Sequence, residues 1–290
     1  MFLLRREARE RTTPIGALHR AVTRWGEAER SSSRVAFRRW CDGVAYVDVQ
    51  ARTYADFWNR QNEQALTADG PLWVVLGDST AQGLGASSPL HGYVGQVLRA
   101  LRSTGTPWRV LNLSRSGAQT RHVLDDQLPL MDGLQPALVT CGIGTNDILG
   151  TPPKRFRDHL RQVIDRLPSS SVVMDLTVPD RFWRVGGAIS PYVTSVNQLI
   201  GSTALERGLP VAEVSRYARP PWRGLLAADN FHPNNFGYRQ HADALRAALP
   251  AVLLQRGISA KLSVAGAPGP RQPTPARVVR PDGVRREVGG

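Results

Sequence analysis

Ser79, Asp229 and His232 are the residues of this 290-residue chain around which nucleophilic chemistry can be built. Ser79 follows the apolar run Leu72-Trp-Val-Val-Leu76 and Gly77-Asp78, and it precedes the glycine-rich turn Gln82-Gly-Leu-Gly85. This reads as a buried strand ending at a tight turn into a helix. A hydroxyl placed there sits where open α/β sheets hold their ligands, close to the free N–H groups of the next segment. To act as a nucleophile it needs a base within about 3 Å, a third group that fixes the base's tautomer, and donors aimed at the developing oxyanion.

Among six histidines, His232 stands apart. His19 lies in an arginine-rich start, His91 in a loop, and His122, His159 and His241 in helical patterns. His232 sits in Ala228-Asp-Asn-Phe-His-Pro-Asn234, bounded by proline, just ahead of a helix and three residues after Asp229. That spacing lets the carboxylate reach Nδ1 while Nε2 faces Ser79. The competing reading is an Asp-x-x-His that only caps the next helix. The order Ser, Asp, His is that of the α/β-hydrolases, but Gly-x-Ser-x-Gly is missing and the Asp–His separation is short, which argues against that fold. Candidate oxyanion donors are the N–H of Ser79, the backbone N–H of Gly117 in Ser116-Gly-Ala118, and the side-chain amide of Asn146 in Gly144-Thr-Asn-Asp147. A turn glycine and an Asx-turn are the alternatives for the last two. Asp78 and Asp147 are expected to accept loop N–H bonds, since a carboxylate aimed into an oxyanion hole would oppose the charge that forms there. The histidines make no His-x-x-x-His pair and no cysteine cluster accompanies them, so no metal is expected, and serine chemistry of this kind needs no cofactor.

Positioning these loops requires a layered scaffold. Strands are expected at 73–76, 109–113, 136–141, 171–176 and 209–214, and helices near 93–101, 121–130, 153–167, 190–206 and 235–254, with Pro250 bending or interrupting the last. Strands alternating with helices of this length argue for repeated βαβ units and a parallel sheet. The loops at 77–85, 114–120 and 142–147 then share one sheet edge. Specificity is expected from loops 84–92, 147–153 and 177–190, the last carrying Phe182-Trp-Arg184 and Gly186-Gly187 as an acyl-pocket wall or lid, or as a solvent-facing crossover loop whose aromatics pack on the rim.

The chain divides into an arginine-rich helical extension (1–70), a catalytic domain (71–258) and a Pro/Gly/Arg-rich disordered tail (259–290). In the extension, Tyr54, Phe57 and Trp58 form a helical stripe suited to core packing, or to a substrate-covering or membrane-surface role. Residues 62–71 read as a polar linker ending at Gly70-Pro71. The net charge of +13 is concentrated at the ends. Residues 1–40 hold ten arginines against four glutamates, and residues 261–290 six bases against two acids. Nucleic-acid binding would want the bases clustered on a structured face, so this distribution weakens it. Cys41 and Cys141 are expected as free thiols. No basic segment leads into an apolar run at the start and no stretch of 18 apolar residues occurs, so a cytoplasmic protein without membrane insertion is expected.

Gly77-Asp-Ser-Thr80 resembles the first signature block of the SGNH/GDSL hydrolase superfamily, with Thr80 where the name-giving motif has leucine. Gly117 is similar to its second-block glycine, Gly144-Thr-Asn-Asp147 to its Gly-x-Asn-Asp block, and Asp229-Asn-Phe-His232-Pro to its last block. The resemblance spans about residues 72–250. It implies a three-layer α/β/α sandwich with a mostly parallel five-stranded sheet, flavodoxin-like in form. It also implies Ser79 as nucleophile, His232 as general base and acid, Asp229 as orienting carboxylate, and Gly117 and Asn146 in the oxyanion hole. The expected activity is hydrolysis of a small-molecule carboxylic ester through an acyl-enzyme. An acyltransferase using the same serine, or a basic binding protein with a degenerate hydrolase domain, is the alternative.

Overall fold

The computed structural model describes residues 42–177, 189–255 and 257–258. Five strands, β1 (Leu72–Gly77), β2 (Arg109–Asn112), β3 (Leu138–Gly142), β4 (Ser171–Met174) and β5 (Val211–Ala212), form one sheet in the order β2-β1-β3-β4-β5. Every pairing is parallel. This is the flavodoxin-like order, and its switch point, where the connections leave in opposite directions, lies between β1 and β3. Ser79 follows β1 there.

Strand periodicity explains the two apolar layers. In β1, Leu72, Val74 and Leu76 face one layer while Trp73 and Val75 face the other, as a strand covered on both sides requires. The first layer is closed by α6 (Pro153–Arg166) and α7 (Ile189–Glu206) through Phe156, Leu160, Val163, Val196 and Ile200. The second is closed by α3 (Tyr93–Arg102) and α9 (Asn235–Gln255) through Val94, Val97, Leu98, Leu245 and Leu249. The result is the three-layer α/β/α sandwich expected from the resemblance.

Several boundaries differ from expectation. β3 begins at Leu138 rather than 136, and β5 keeps only Val211 and Ala212 of the expected 209–214. The expected helix at 121–130 is a succession of α4 (Thr120–His122), a π turn (Val123–Gln127) and a 3-10 turn (Leu128–Met131). Pro129 has no N–H to give and its ring obstructs the carbonyl four residues earlier, which disfavours a regular helix there. α9 continues through Pro250 without interruption.

The largest correction concerns the linker. Residues 62–67 are the last turns of α1 (Asp42–Thr67), which lies along β2 and the start of the molecule's first turn. Tyr54 and Trp58 of the aromatic stripe are buried, and Trp58 joins the second apolar layer, with Phe57 packed beside it. Asn62 is 2% exposed and treats β2 as a neighbouring strand would. It donates Nδ2 to the Asn112 carbonyl (2.8 Å) and accepts the Asn112 N–H at Oδ1 (2.7 Å). The free edge of β2 is thereby capped by a side chain.

The N-terminal arginine-rich stretch before residue 42, the Phe182-Trp-Arg184 segment, Cys41 and the tail from 259 lie outside the described residues. Cys141 is a buried free thiol whose burial pushes it up to about 12. Among the described residues no helix is long and apolar enough to cross a membrane.

Candidate active site

The turn from β1 is built to present a hydroxyl. Asp78 caps the short helix α2 (Ser79–Gln82), its Oδ1 accepting the Thr80 N–H at 2.9 Å. Gly83 and Leu84 both return their N–H groups to the Ser79 carbonyl at 3.1 Å, which folds the glycine turn back over the serine. Ser79 Oγ lies 2.8 Å from His232 Nε2.

The histidine comes from a loop that organises itself. Asp229 Oδ2 is 2.6 Å from His232 Nδ1, while its Oδ1 accepts the N–H groups of Phe231 and His232, each at 3.0 Å. Asn230 takes the left-handed conformation (φ 53°) that asparagine tolerates, and the loop is closed by Ala227 N–H donating to the His232 carbonyl (2.8 Å). Burial raises the Asp229 carboxyl. The His232 hydrogen bond and charge, with the N–H groups of Phe231 and His232, outweigh that and hold it below the ordinary carboxylate range. Helix capping is a separate matter. Asn234 Oδ1 accepts from Phe236 and Gly237 at the start of α9, so Asp229 is left to the histidine.

The two expected oxyanion loops also meet. Gly117 has φ +72°, the left-handed region that favours glycine. Asn146 Nδ2 donates to the carbonyl of the next residue, Ala118, at 2.9 Å, and Gln119 Nε2 donates back to the Asn146 carbonyl at 3.2 Å. The Nδ2 group also lies 3.4 Å from Asp78 Oδ2. Among the described residues the N–H groups of Ser79 and Gly117 have no acceptor. Asp78 and Asp147 tie loops, as expected. Asp147 accepts the Thr120 N–H and hydroxyl (2.9 Å each) and the Thr151 hydroxyl (2.8 Å). Burial raises both carboxyls, Asp78 against its Thr80 bonds and Asp147 against those from Thr120 and Thr151.

The other described histidines do not join the constellation. His241 is buried, its Nδ1 3.0 Å from the Gly237 carbonyl, and burial lowers it to about 4, so it is a neutral donor at pH 7. His91 lies 2.7 Å from the Ser87 hydroxyl, and His122 accepts the Gln119 N–H. Beside His232 a small cavity of ≈ 70 Å³ lies at the ends of β3 and β4, its apolar lining including Ile143, Met174, Leu176, Trp222 and Phe231.

Some supporting residues gave no recognisable signal in the sequence. Gln127, 1% exposed, brackets Gly77 by accepting its N–H and donating to its carbonyl, both at 2.8 Å. Asn112 holds Ala81 and Ser114 across the sheet end. The Gln127–Gly77 and Asn112–Ala81 ties join residues 50 and 31 apart, and a lone buried amide has no periodicity to read.

A hydroxyl, an imidazole and a carboxylate in one hydrogen-bonded chain can move a proton off the oxygen as it attacks a carbonyl. The GDSL-like lipase/acylhydrolase family matches residues 75–240, a segment containing the whole constellation. The chain belongs to this family. Esterase TesA of Pseudomonas aeruginosa is 23% identical over 164 residues, covering 55% of this chain and 78% of that relative. A TesA crystal structure matches with TM-score 0.54 at 23% identity, over 63% of this chain and 99% of its own. A lipase/acylhydrolase from Enterococcus faecalis matches with TM-score 0.50 at 22% identity, over 67% of this chain and 100% of its own. These likenesses establish the GDSL hydrolase fold. Helix α1 lies upstream of the family segment.

Proposed function

We propose that this GDSL-family protein hydrolyses carboxylic esters of small molecules through Ser79, His232 and Asp229. The observation that carries the reading is the unbroken hydrogen-bonded chain from Ser79 Oγ through His232 to Asp229. His232 Nε2 takes the Ser79 proton as Oγ bonds to the ester carbonyl carbon. The carbonyl π pair moves onto oxygen, where the Ser79 and Gly117 N–H groups and the Asn146 amide are the donors. Collapse of the tetrahedral species breaks the bond to the alcohol oxygen, which leaves with the proton from His232. Water then repeats the sequence on the acyl-enzyme, releasing the acid and free Ser79. Atoms and charge balance without a cofactor.

Asp229 fixes the tautomer with Nδ1 protonated and Nε2 free to accept. It remains ionised when the imidazolium forms, because its carboxyl is held low. The Asn146 amide already serves Ala118, so its part in the oxyanion hole requires its second N–H to leave the long contact with Asp78. Catalytic hydrogen bonds commonly tighten only once substrate is bound.

The test is hydrolysis of p-nitrophenyl esters from acetyl to palmitoyl by the parent protein and Ser79→Ala. Turnover should fall by at least about 10⁴-fold in the variant, with an unchanged circular dichroism spectrum. Equal rates in the two proteins would overturn the assignment. Faster product formation with an added alcohol, yielding a new ester, would favour acyl transfer over hydrolysis.

A further inference from the structure

We infer that helix α1, outside the family segment, is a positioning element for the reacting groups. On this reading Gln50 and Tyr54 hold the turn at 82–86 that sets His232 against Ser79. The inference rests on the proposed roles of those two residues.

The turn lies between them. On one side, Ser79 receives the N–H groups of Gly83 and Leu84 at its carbonyl. On the other, Gly85 is pressed against the histidine loop. With φ +91°, a Cβ there would stand 2.8 Å from His232 Cβ, 2.5 Å from the Pro233 carbonyl oxygen and 3.0 Å from Ala227 Cβ. A shift of this turn therefore moves one partner relative to the other.

What fixes the turn comes largely from α1. Gln50 accepts the Gly85 N–H at Oε1 (2.9 Å) and donates Nε2 to the Ala86 carbonyl (3.2 Å). Tyr54 donates its hydroxyl to the same carbonyl at 2.6 Å, and Trp58 Nε1 donates to the Gln82 carbonyl at 2.9 Å. From the opposite side Tyr238 donates to the Leu84 carbonyl at 2.6 Å. Leu84 is buried with Val47 and Tyr54, and Ala51 and Ala227 pack on that cluster, so α1 also reaches the base of the histidine loop. Burial raises the Tyr54 hydroxyl to about 12, with the nearby Tyr46 adding to it, which keeps it a donor at any working pH. A helix that only stabilised the fold would need the apolar contacts of Trp58 and the Asn62 clamp. The polar contacts of Gln50 and Tyr54 concentrate instead on two residues, Gly85 and Ala86.

The experiment compares Tyr54→Phe, the double variant Gln50→Ala/Tyr54→Phe and Arg109→Met in the full chain. Arg109 bonds the Ala65 and Gly70 carbonyls at the far end of α1, away from the sheet edge that carries Ser79. Three readouts are taken: kcat and KM on p-nitrophenyl acetate, the pH profile of kcat/KM, and the downfield proton signal of His232 Nδ1–H. For the double variant we expect kcat to fall roughly tenfold with little change in KM, as small misplacements of reacting groups do. Its acid limb and its Nδ1–H resonance should shift. Tyr54→Phe should move the same way by less, and it remains informative if the double variant does not fold. Arg109→Met should lower the melting temperature and leave kcat within about twofold. Parental kcat, pH profile and resonance in the double variant, or equal losses in Arg109→Met, would overturn the inference. The resonance needs no turnover. If Ser79→Ala shows the ester reading to be wrong, the Nδ1–H signal still decides whether α1 positions His232.

Discussion

Two regions deliver polar groups to the same sheet edge by opposite means. The loop at 227–233 is self-contained. Asp229 meets two N–H groups and an imidazole within three residues, and its carboxyl is held low despite burial. The loops after β1, β2 and β3 depend on one another. Asp147 binds Thr120 across 27 residues, Asn146 binds Ala118 across 28, and the Asp78 and Asp147 carboxyls are raised because burial outweighs their hydrogen bonds. The carboxylate proposed to face an imidazolium is held in its charged form by local donors. Those that only tie loops are buried and less readily ionised.

The comparison is most sharply tested by removing one charge from each region. Asp229→Asn should lower kcat by roughly 10⁴-fold, since the amide no longer holds the reactive tautomer. Asp78→Asn should cost at most about tenfold in kcat, equivalent to about 1.4 kcal/mol, because it keeps an oxygen for the Thr80 N–H. Comparable losses in steady-state ester hydrolysis would break the distinction. Next in size is Asn146→Ala, expected to lower kcat by about 10²–10³-fold with KM little changed. A variant that lost affinity and kept kcat would instead make Asn146 a binding or loop-shaping residue.

Legibility in the sequence follows the same divide. The Asp-x-x-His block could be read because its chemistry is complete within four residues, and the alternation in β1 could be read because both faces of a central strand are apolar. Gln127 could not, since its partner Gly77 is 50 residues away and only the fold joins them. The end of α1 reads as a polar linker in the sequence for a related reason. Asn62 and Ala65 are buried there, yet an amide and a single methyl make no apolar stripe, and what makes Asn62 a core residue is the free edge of β2. Gln127→Leu measures how much such a long-range tie matters. Arg115 still serves the Gly77 carbonyl, so the variant orphans chiefly the Gly77 N–H. The loss should be about 2 kcal/mol, or a melting temperature roughly 4–8 °C lower. No change in melting would mean that water replaces the glutamine.

The smallest expected effect is on the pH dependence of stability, where the carboxylates should act with opposite signs. Asp175, at the end of β4, accepts the Ser215 N–H (2.8 Å) and hydroxyl. Burial, with the Glu213 charge adding to it, nevertheless raises it to about 6. Between about pH 4, where an unfolded aspartate titrates, and pH 6 the folded chain therefore keeps a proton that the unfolded chain has lost. Its stabilising contribution is complete below that window and is lost as pH rises through it. Asp229, held low, contributes stability above the unfolded value that is lost as pH falls through its depressed folded one. Urea midpoints measured from pH 3 to 7 should thus show a shallower decline between 4 and 6 in Asp175→Asn than in the parent. Some slope should remain, because Asp78 and Asp147 are also raised. Asp229→Asn should keep that decline and lose part of the fall on acidification below about pH 4. Parental slopes in both variants would mean that neither carboxyl titrates differently in the folded chain.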